Sequence, residues 1–476
     1  MAHRPKPQRP QHRRERPSGA VFARPIQRQA DRAACARRST GPTRRFRAGD
    51  RIDEARTHFV RPPRCGGAKP FGQRGPASGP RPGAGAMEGR RMNTAGFTTE
   101  DLQSLQATVE RFAKQAIAPH VPAWEEAGQF DRSLYTQAAE LGLLGLGYPE
   151  HLGGTPAPWR ARNLLSQTLA RHGGSGGVMA SLFSHNIGLP PVMAHGSAEL
   201  QAEVVPPVLR GERIAALAIT EPGGGSDVAG LRTTARADGA DYVIDGEKVF
   251  ITSGLRADWI TLAVRTHPDS KGASGISMVV VPGDTPGITR TRLHKMGWHS
   301  SDTAQLHFDG VRVPQRYRLG EEGAGFKMIM GNFNGERLAM SAMALGFAQA
   351  CFDEALDWAR QRQTFGAPLI ERQAIRHKLM DMQMRISSTQ AWVDAVTQQA
   401  DAGQTVAEWV AQVCLLKNHA TQTMQFCADA AVQLLGGMGY MRGTVSERVY
   451  REVKVMMIGG GAEEIMKELA AKQLGI

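Results

Sequence analysis

The sequence predicts an α+β multidomain protein in which a β domain is set between two helical regions, and three observations carry that prediction. A capping-box pair, Thr98 and Asp101, opens a stretch in which Leu102, Leu105, Val109, Phe112 and Ala116 recur at spacings of three and four. After Gly211 the apolar residues gather into short β-branched runs. From about Gly325 the pattern returns to long helical stretches with few breakers.

The chain opens on a basic extension, residues 1–92, that reads as disordered. Arg, Pro and Gly dominate it, and it lacks the apolar residues needed to bury a core. Residues 1–91 hold 23 Lys and Arg, 21 of them Arg, against 6 Asp and Glu. The rest of the 476-residue chain holds 35 basic against 39 acidic residues, so the net +13 belongs to the tail and the body is mildly acidic. Nucleic-acid binding is therefore not expected of the folded part, and only the tail could hold nucleic acid, non-specifically. The tail is Arg-rich and acid-poor, as a mitochondrial transit peptide is, but its prolines oppose the amphipathic helix such a peptide needs. The expectation is a cytoplasmic, bacterial-type protein rather than one of the mitochondrial matrix. Met87 and Met92 stand just before the first helix, so the tail is either an upstream extension from a mis-assigned start or a genuine disordered tail; both readings stay open.

Residues 93–211 read as a helical domain, broken at Gly153, Gly154, Pro156 and Pro158. Residues 212–325 read as a β domain. Residues 242–245 and 249–251 form an expected hairpin about Asp245-Gly246, followed by strands at 259–264, 276–281 and 308–313. Residues 326–476 read as a helical bundle with helices at 335–362, 371–400, 405–435, 446–455 and 461–473. Leu338, Ala342, Leu345, Ala348, Phe352 and Leu356 supply its packing stripe.

Cys35, Cys65, Cys351, Cys414 and Cys427 show neither a C-x-x-C pair nor metal-ligand spacing, and the odd number argues against a disulfide framework. His185 and His299 likewise read as structural or surface residues, and no metal site is expected. No apolar run is long enough to cross a membrane.

Residues 218–230, AITEPGGGSDVAG, form a Gly-rich loop that lets backbone N–H groups approach a ligand, with Thr220, Ser226 and Asp227 as short polar contacts. With GEKVFITSG (246–254), KMGWHSSDTAQLHFDGVRVP (295–314), RQTFG (362–366) and QLLGGMGY (433–440), this loop resembles the acyl-CoA dehydrogenase family. The resemblance runs from about Thr98 to the C-terminus. It implies an acyl-CoA dehydrogenase-like fold, with a helical N-terminal domain, a β-barrel-like middle domain and a C-terminal four-helix bundle, assembled as a homotetramer built as a dimer of dimers. It also implies an FAD cofactor, an acyl-CoA substrate and an electron-transfer flavoprotein as acceptor.

The resemblance assigns Thr220 to the flavin ring, Phe250 and Thr252 to its flanks, and Ser226 to both cofactor and substrate. Many relatives carry Trp where this chain has Phe250, which keeps a π-face but no indole N–H. Arg362, Thr364, Phe365 and Gln373 match a segment that reaches the FAD of a neighbouring subunit. Gln433, Gly436 and Gly437 match a backbone clamp on its adenylate side. Phe333, Asn334 and Arg337 align with the CoA and acyl path.

Dehydrogenation at Cα–Cβ needs a carboxylate against the α-carbon. Many relatives supply it from an EGT triplet near the C-terminus; here the stretch reads IGGGAEEIM, with Gly460 at the Glu position and Ala462 at the Thr. The long-chain and isovaleryl-CoA branches place the base at a Glu-Arg pair on a bundle helix, which points to Glu336 before Arg337. A first-turn acid serving the helix dipole is the other reading of Glu336. Gly460 keeps the backbone N–H that would donate to the thioester carbonyl. Glu463 and Glu464 are the remaining candidate bases. The expected reaction is α,β-dehydrogenation of an acyl-CoA in fatty-acid or branched-chain catabolism. A non-catalytic acyl-CoA-binding subunit and a flavin oxidase or monooxygenase on the same scaffold are the alternatives.

Overall fold

Thr98 caps the first helix as its spacing predicts. The Asp101 N–H donates to the Thr98 hydroxyl at 3.2 Å, the Thr98 N–H donates to the Asp101 carboxylate at 2.8 Å, and α1 runs Thr99–Phe112. The computed structural model describes residues 97–267, 269–270 and 272–476; the expectations for the extension 1–92 lie outside the described residues. Helices α2 (Trp159–Gly173) and α3 (Ala198–Leu209) follow, with shorter helices between them.

The middle of the chain is an eight-stranded sheet. Strands β1 (Ala215–Ala218), β2 (Thr234–Asp238), β3 (Asp241–Thr252), β4 (Trp259–Arg265), β5 (Ile276–Pro282), β6 (Ile288–Arg292), β7 (Thr303–Pro314) and β8 (Arg318–Leu319) run in the order β6-β7-β3-β2-β4-β5-β8, with β1 parallel to β4. One residue pair, Thr234 with Arg265, joins β2 to β4. Inward residues on both sides of that joint, such as Ile244 and Phe308 on one and Leu262 and Val279 on the other, share one apolar core. β4 and β5 are buried on both faces, which is why they read as unbroken apolar runs.

The expected hairpin about Asp245-Gly246 is not formed. Strand β3 passes straight through that dipeptide, and the tight turn lies one strand earlier, at Gly239-Ala240 between β2 and β3. Gly246 instead marks a register irregularity against β7. Its φ is 144°, and a Cβ there would come within 2.7 Å of the Thr233 backbone, so close approach rather than turning demands the glycine.

The C-terminal region is helical: α4 (Gly325–Gln361), α5 (Gln373–Asp401), α6 (Ala407–Leu435), α7 (Val445–Ile458) and α8 (Glu463–Leu474). α4 begins at Gly325, ten residues before the start expected from its apolar stripe. Gly335, at the expected start, is there for packing: a Cβ would lie 2.6 Å from the Trp159 ring. Met328 and Ile329 at the start of α4 join the β-domain core, while Leu338, Leu345 and Phe347 join a helical core that α1 and α2 share with α5, α6 and α7. One helix thus passes from one core into the other.

Candidate active site

Glu336 lies at that passage, on the wall of a cleft of about 3250 Å³. Sites for one small ligand run to roughly 300–1,000 Å³, so this cleft has room for two ligands or one very extended one. Thr220, Ser226, Phe250 and Thr252 line it from the β domain, and Phe333, Glu336, Arg337 and Gly460 line it from the helices.

A buried ion pair holds the β-domain wall. Lys248 Nζ donates to Glu221 Oε1 at 2.8 Å and to the Ile219 carbonyl at 3.0 Å. The Glu221 carboxylate also accepts from the N–H groups of Arg232 and Thr233, at 2.6 and 2.9 Å, and from the Thr233 hydroxyl at 2.7 Å. Burial pulls the Lys248 ammonium down to about 8, with Glu221 opposing. Between these anchors the Thr220 carbonyl accepts from the Val249 N–H at 2.8 Å, so the Gly-rich loop is tied to β3 on both sides of Thr220.

Two residues further along β3, the register breaks between Lys248 and Ile251 and Phe250 takes φ 63°. A left-handed conformation costs a non-glycine residue about 1–3 kcal/mol. The side chain is not buried in exchange: it stands 68% exposed on the cleft wall. An aromatic ring held out under strain fits a planar ring system stacked upon it.

On the opposite wall Glu336 is half-buried, but its Oε2 is fully enclosed and has no hydrogen-bond partner among the described residues. Burial pushes its carboxyl up to about 7, with Arg337 and Lys417 opposing. Gly460 adjoins it: a Cβ at Gly460 would lie 3.8 Å from Glu336 Oε1 and 3.0 Å from Met340 Sδ. The turn between α7 and α8 that carries Gly460 is held by its carbonyls. Arg337 Nε donates to the Gly460 carbonyl at 2.9 Å, and Lys417 Nζ donates to those of Met457 and Gly461 at 2.9 and 2.8 Å. The Gly460 N–H makes no hydrogen bond among the described residues.

The other residues singled out from the sequence divide by place. Ser226 is exposed on the cleft wall. Asn334 is not on that wall; its Oδ1 accepts from Arg337 at 3.3 Å. Arg337 is only 5% exposed, and its hydrogen bonds make it a clamp on the Gly460 turn, where alignment alone gave a lining residue. Glu463 is off the cleft wall and engaged by Lys467 and Gln422, each at 2.7 Å, which hold its carboxyl below the ordinary range; Glu464 is exposed elsewhere. Ala462 lines the cleft. Arg362, Thr364, Phe365, Gln373, Gln433, Gly436 and Gly437 lie outside the cleft, on the short hairpin after α4, the start of α5 and the end of α6. All of these except the half-buried Thr364 are exposed, Phe365 at 99%. His185 is buried with Nε2 2.9 Å from the Leu144 carbonyl, and burial pulls it down to about 4. His299 packs against the Lys295 carbonyl at 3.0 Å. Among the described residues no group of His, Cys, Asp or Glu could hold a metal ion.

Sequence reasoning missed Lys417, Lys248 and Glu221. The available signal was a lone Lys inside an apolar run, as in VCLLKNHA and EKVFI, which reads as a solvated charge until its partners are placed.

A helix–β–helix fold whose cleft sets an exposed aromatic opposite an enclosed carboxyl pushed up to about 7 suits proton transfer with a ligand lying between them. Family models of the acyl-CoA dehydrogenase N-terminal, middle and C-terminal domains match residues 99–212, 216–311 and 323–475. The long-chain specific acyl-CoA dehydrogenase of Sus scrofa mitochondria is 34% identical over 369 residues, 77% of this chain and 85% of its own length. A solved Mycobacterium smegmatis chain assigned to the acyl-CoA dehydrogenases is 46% identical with a TM-score of 0.77, over 80% of this chain and 98% of that one. The butyryl-CoA dehydrogenase of Megasphaera elsdenii is 29% identical with a TM-score of 0.76, over 80% of this chain and all of that one. The chain belongs to the acyl-CoA dehydrogenase family.

Proposed function

We propose that the protein dehydrogenates an acyl-CoA thioester at Cα–Cβ to the trans-2-enoyl-CoA, with Glu336 as the base, FAD as cofactor and an electron-transfer flavoprotein as acceptor. The observation that carries this reading is the enclosed Glu336 carboxyl, without a hydrogen-bond partner and pushed up to about 7, beside a Gly460 N–H that is free to donate. Thr220, Phe250 and Thr252 would hold the flavin ring, and bound FAD would supply the hydride acceptor for the β-hydrogen. Glu336 takes the α-proton; a carboxyl with a value near 7 is matched to that transfer at neutral pH. The Gly460 N–H donates to the thioester carbonyl oxygen as negative charge develops there, and Arg337 and Lys417 hold the turn so that it need not reorganise. Phe333 lines the same cleft and would contact the acyl chain.

The exposed group of Arg362, Thr364, Phe365, Gln373, Gln433, Gly436 and Gly437 supports a cofactor site completed by a second subunit, within a homotetramer. Among the described residues no helix is long and apolar enough to cross a membrane. The setting we propose is the bacterial cytoplasm, in fatty-acid or branched-chain acyl breakdown.

Anaerobic bleaching of the flavin by straight and branched acyl-CoAs tests the reading. Wild type should bleach, and Glu336→Gln should keep its FAD and not bleach. Bleaching that persists in Glu336→Gln would remove Glu336 as base, and none in either protein with any thioester would favour a binding subunit.

A further inference from the structure

Arg162, in the first turn of α2, stands on the wall of the same cleft with no ion pair and no side-chain hydrogen bond among the described residues. Its guanidinium lies 4.0 Å from the centre of the Trp159 ring. The same ring packs against Gly335, where a Cβ would come within 2.6 Å, and Gly335 immediately precedes Glu336. Arg162 is thus one aromatic ring away from the helix segment that carries Glu336. Space for it is reserved on the other side, where a Cβ at Gly147 would lie 2.8 Å from its Cδ and Nε.

The groups around Arg162 act on it without bonding to it. Asp401 acts on it, but both Asp401 oxygens accept from backbone N–H groups, those of Trp159 at 2.5 Å and Arg160 at 3.3 Å. The Tyr148 hydroxyl donates to Asn186 Oδ1 at 3.1 Å and to the His185 carbonyl at 3.3 Å. Asn186 also lines the cleft, and its amide N–H₂ has no acceptor among the described residues, which makes a second unengaged donor. Burial pulls the Arg162 guanidinium below its ordinary value, with Tyr148 and Asp401 opposing, yet a guanidinium keeps its charge. A half-buried guanidinium whose own N–H groups meet no acceptor among the described residues costs free energy that a plain hydrocarbon chain end would not recover.

We propose that Arg162, with Asn186, forms an anion-recognising end to the acyl pocket, and that the preferred thioester carries a carboxylate at the far end of its chain. A carboxylate matches the planar fork of the guanidinium through two oxygens. The inference rests on the acyl-CoA reading of the cleft. CoA phosphates are the other possible anion, and the test separates the two because every probe in it carries the same CoA.

The probes are S-alkyl-CoA thioethers, which have no carbonyl and cannot be dehydrogenated. A ladder of chain lengths, with and without a terminal carboxylate, is titrated calorimetrically into the FAD-loaded protein and its variants at equal flavin content. Over one window of lengths the wild type should bind the carboxylated probe at least about tenfold tighter than the plain one. In Arg162→Met that ratio should collapse toward one, and Arg162→Lys, which keeps the charge without the fork, should retain part of it. Equal binding of the two series by the wild type at every length overturns the proposal. So does an unchanged ratio in Arg162→Met, or a loss that is the same for both series, which would assign Arg162 to the CoA phosphates. Because thioether binding needs no chemistry, a failure of Glu336 as base would appear only in the bleaching experiment and leave this result readable.

Discussion

Glu336 binds its proton more tightly in the folded protein than in the unfolded chain, since its carboxyl is pushed from an ordinary 4.5 to about 7 by burial. The stability it contributes is fully present below about pH 4.5 and is lost as pH rises through 7. At about pH 8 the ionised carboxylate then costs about 3 kcal/mol. Glu336→Gln should therefore raise the denaturant midpoint at pH 8 and leave it unchanged near pH 4; equal midpoints at pH 8 would mean that the carboxyl is solvated. The pair Glu336 and Gly460 was legible in the sequence because an absent acid in one motif and a Glu-Arg pair in another explain each other. Lys417 was not, because its partners are the Met457 and Gly461 carbonyls, some forty residues away and carrying no side-chain signal. Lys417→Met would leave both carbonyls without their donor and free the Gly460 turn. It should cost about 2–4 kcal/mol of stability, and kcat should fall by more than the flavin content does.

Helix α4 shows why element boundaries were less legible than element types. Glycines at 325, 331 and 335 weaken any local reading of helix, while tertiary packing overrides them; the space at Gly335 is filled by the Trp159 ring from a different helix. Gly335→Ala should cost about 1–3 kcal/mol and shift α4 against α2, readable as a lower melting temperature together with weaker substrate binding. Strand β3 makes the converse point. Asp245-Gly246 carries the strongest local turn signal in the region, yet the glycine answers to the approach of Thr233 across the sheet. What local patterns recorded was the alternation of apolar and polar residues; what they could not record was which neighbour each glycine faces.

The order of helical, β and helical regions could be read from the chain, but the merging of the two helical regions into one core could not. Val109, Leu165 and Leu169 from the first region pack with Leu345, Met424 and Val453 from the last, with the whole β domain intervening in the chain. The exposed Phe365 and its companions belong to the same scale, because their proposed role needs a second subunit. Arg362→Ala should lower the FAD retained after gel filtration and make that retention depend on protein concentration. Full retention at every dilution would show that one subunit suffices.

Because α4 leaves the β core and enters the helical core close to Glu336, the carboxyl sits at a seam between two apolar cores. Such a seam is expected to act as a thermal fuse: a small sliding of one core over the other would open the site while both remain folded. On slow heating, turnover should vanish at a lower temperature than helical ellipticity, and return on cooling. A chain that lost both together would have a seam as firm as its cores.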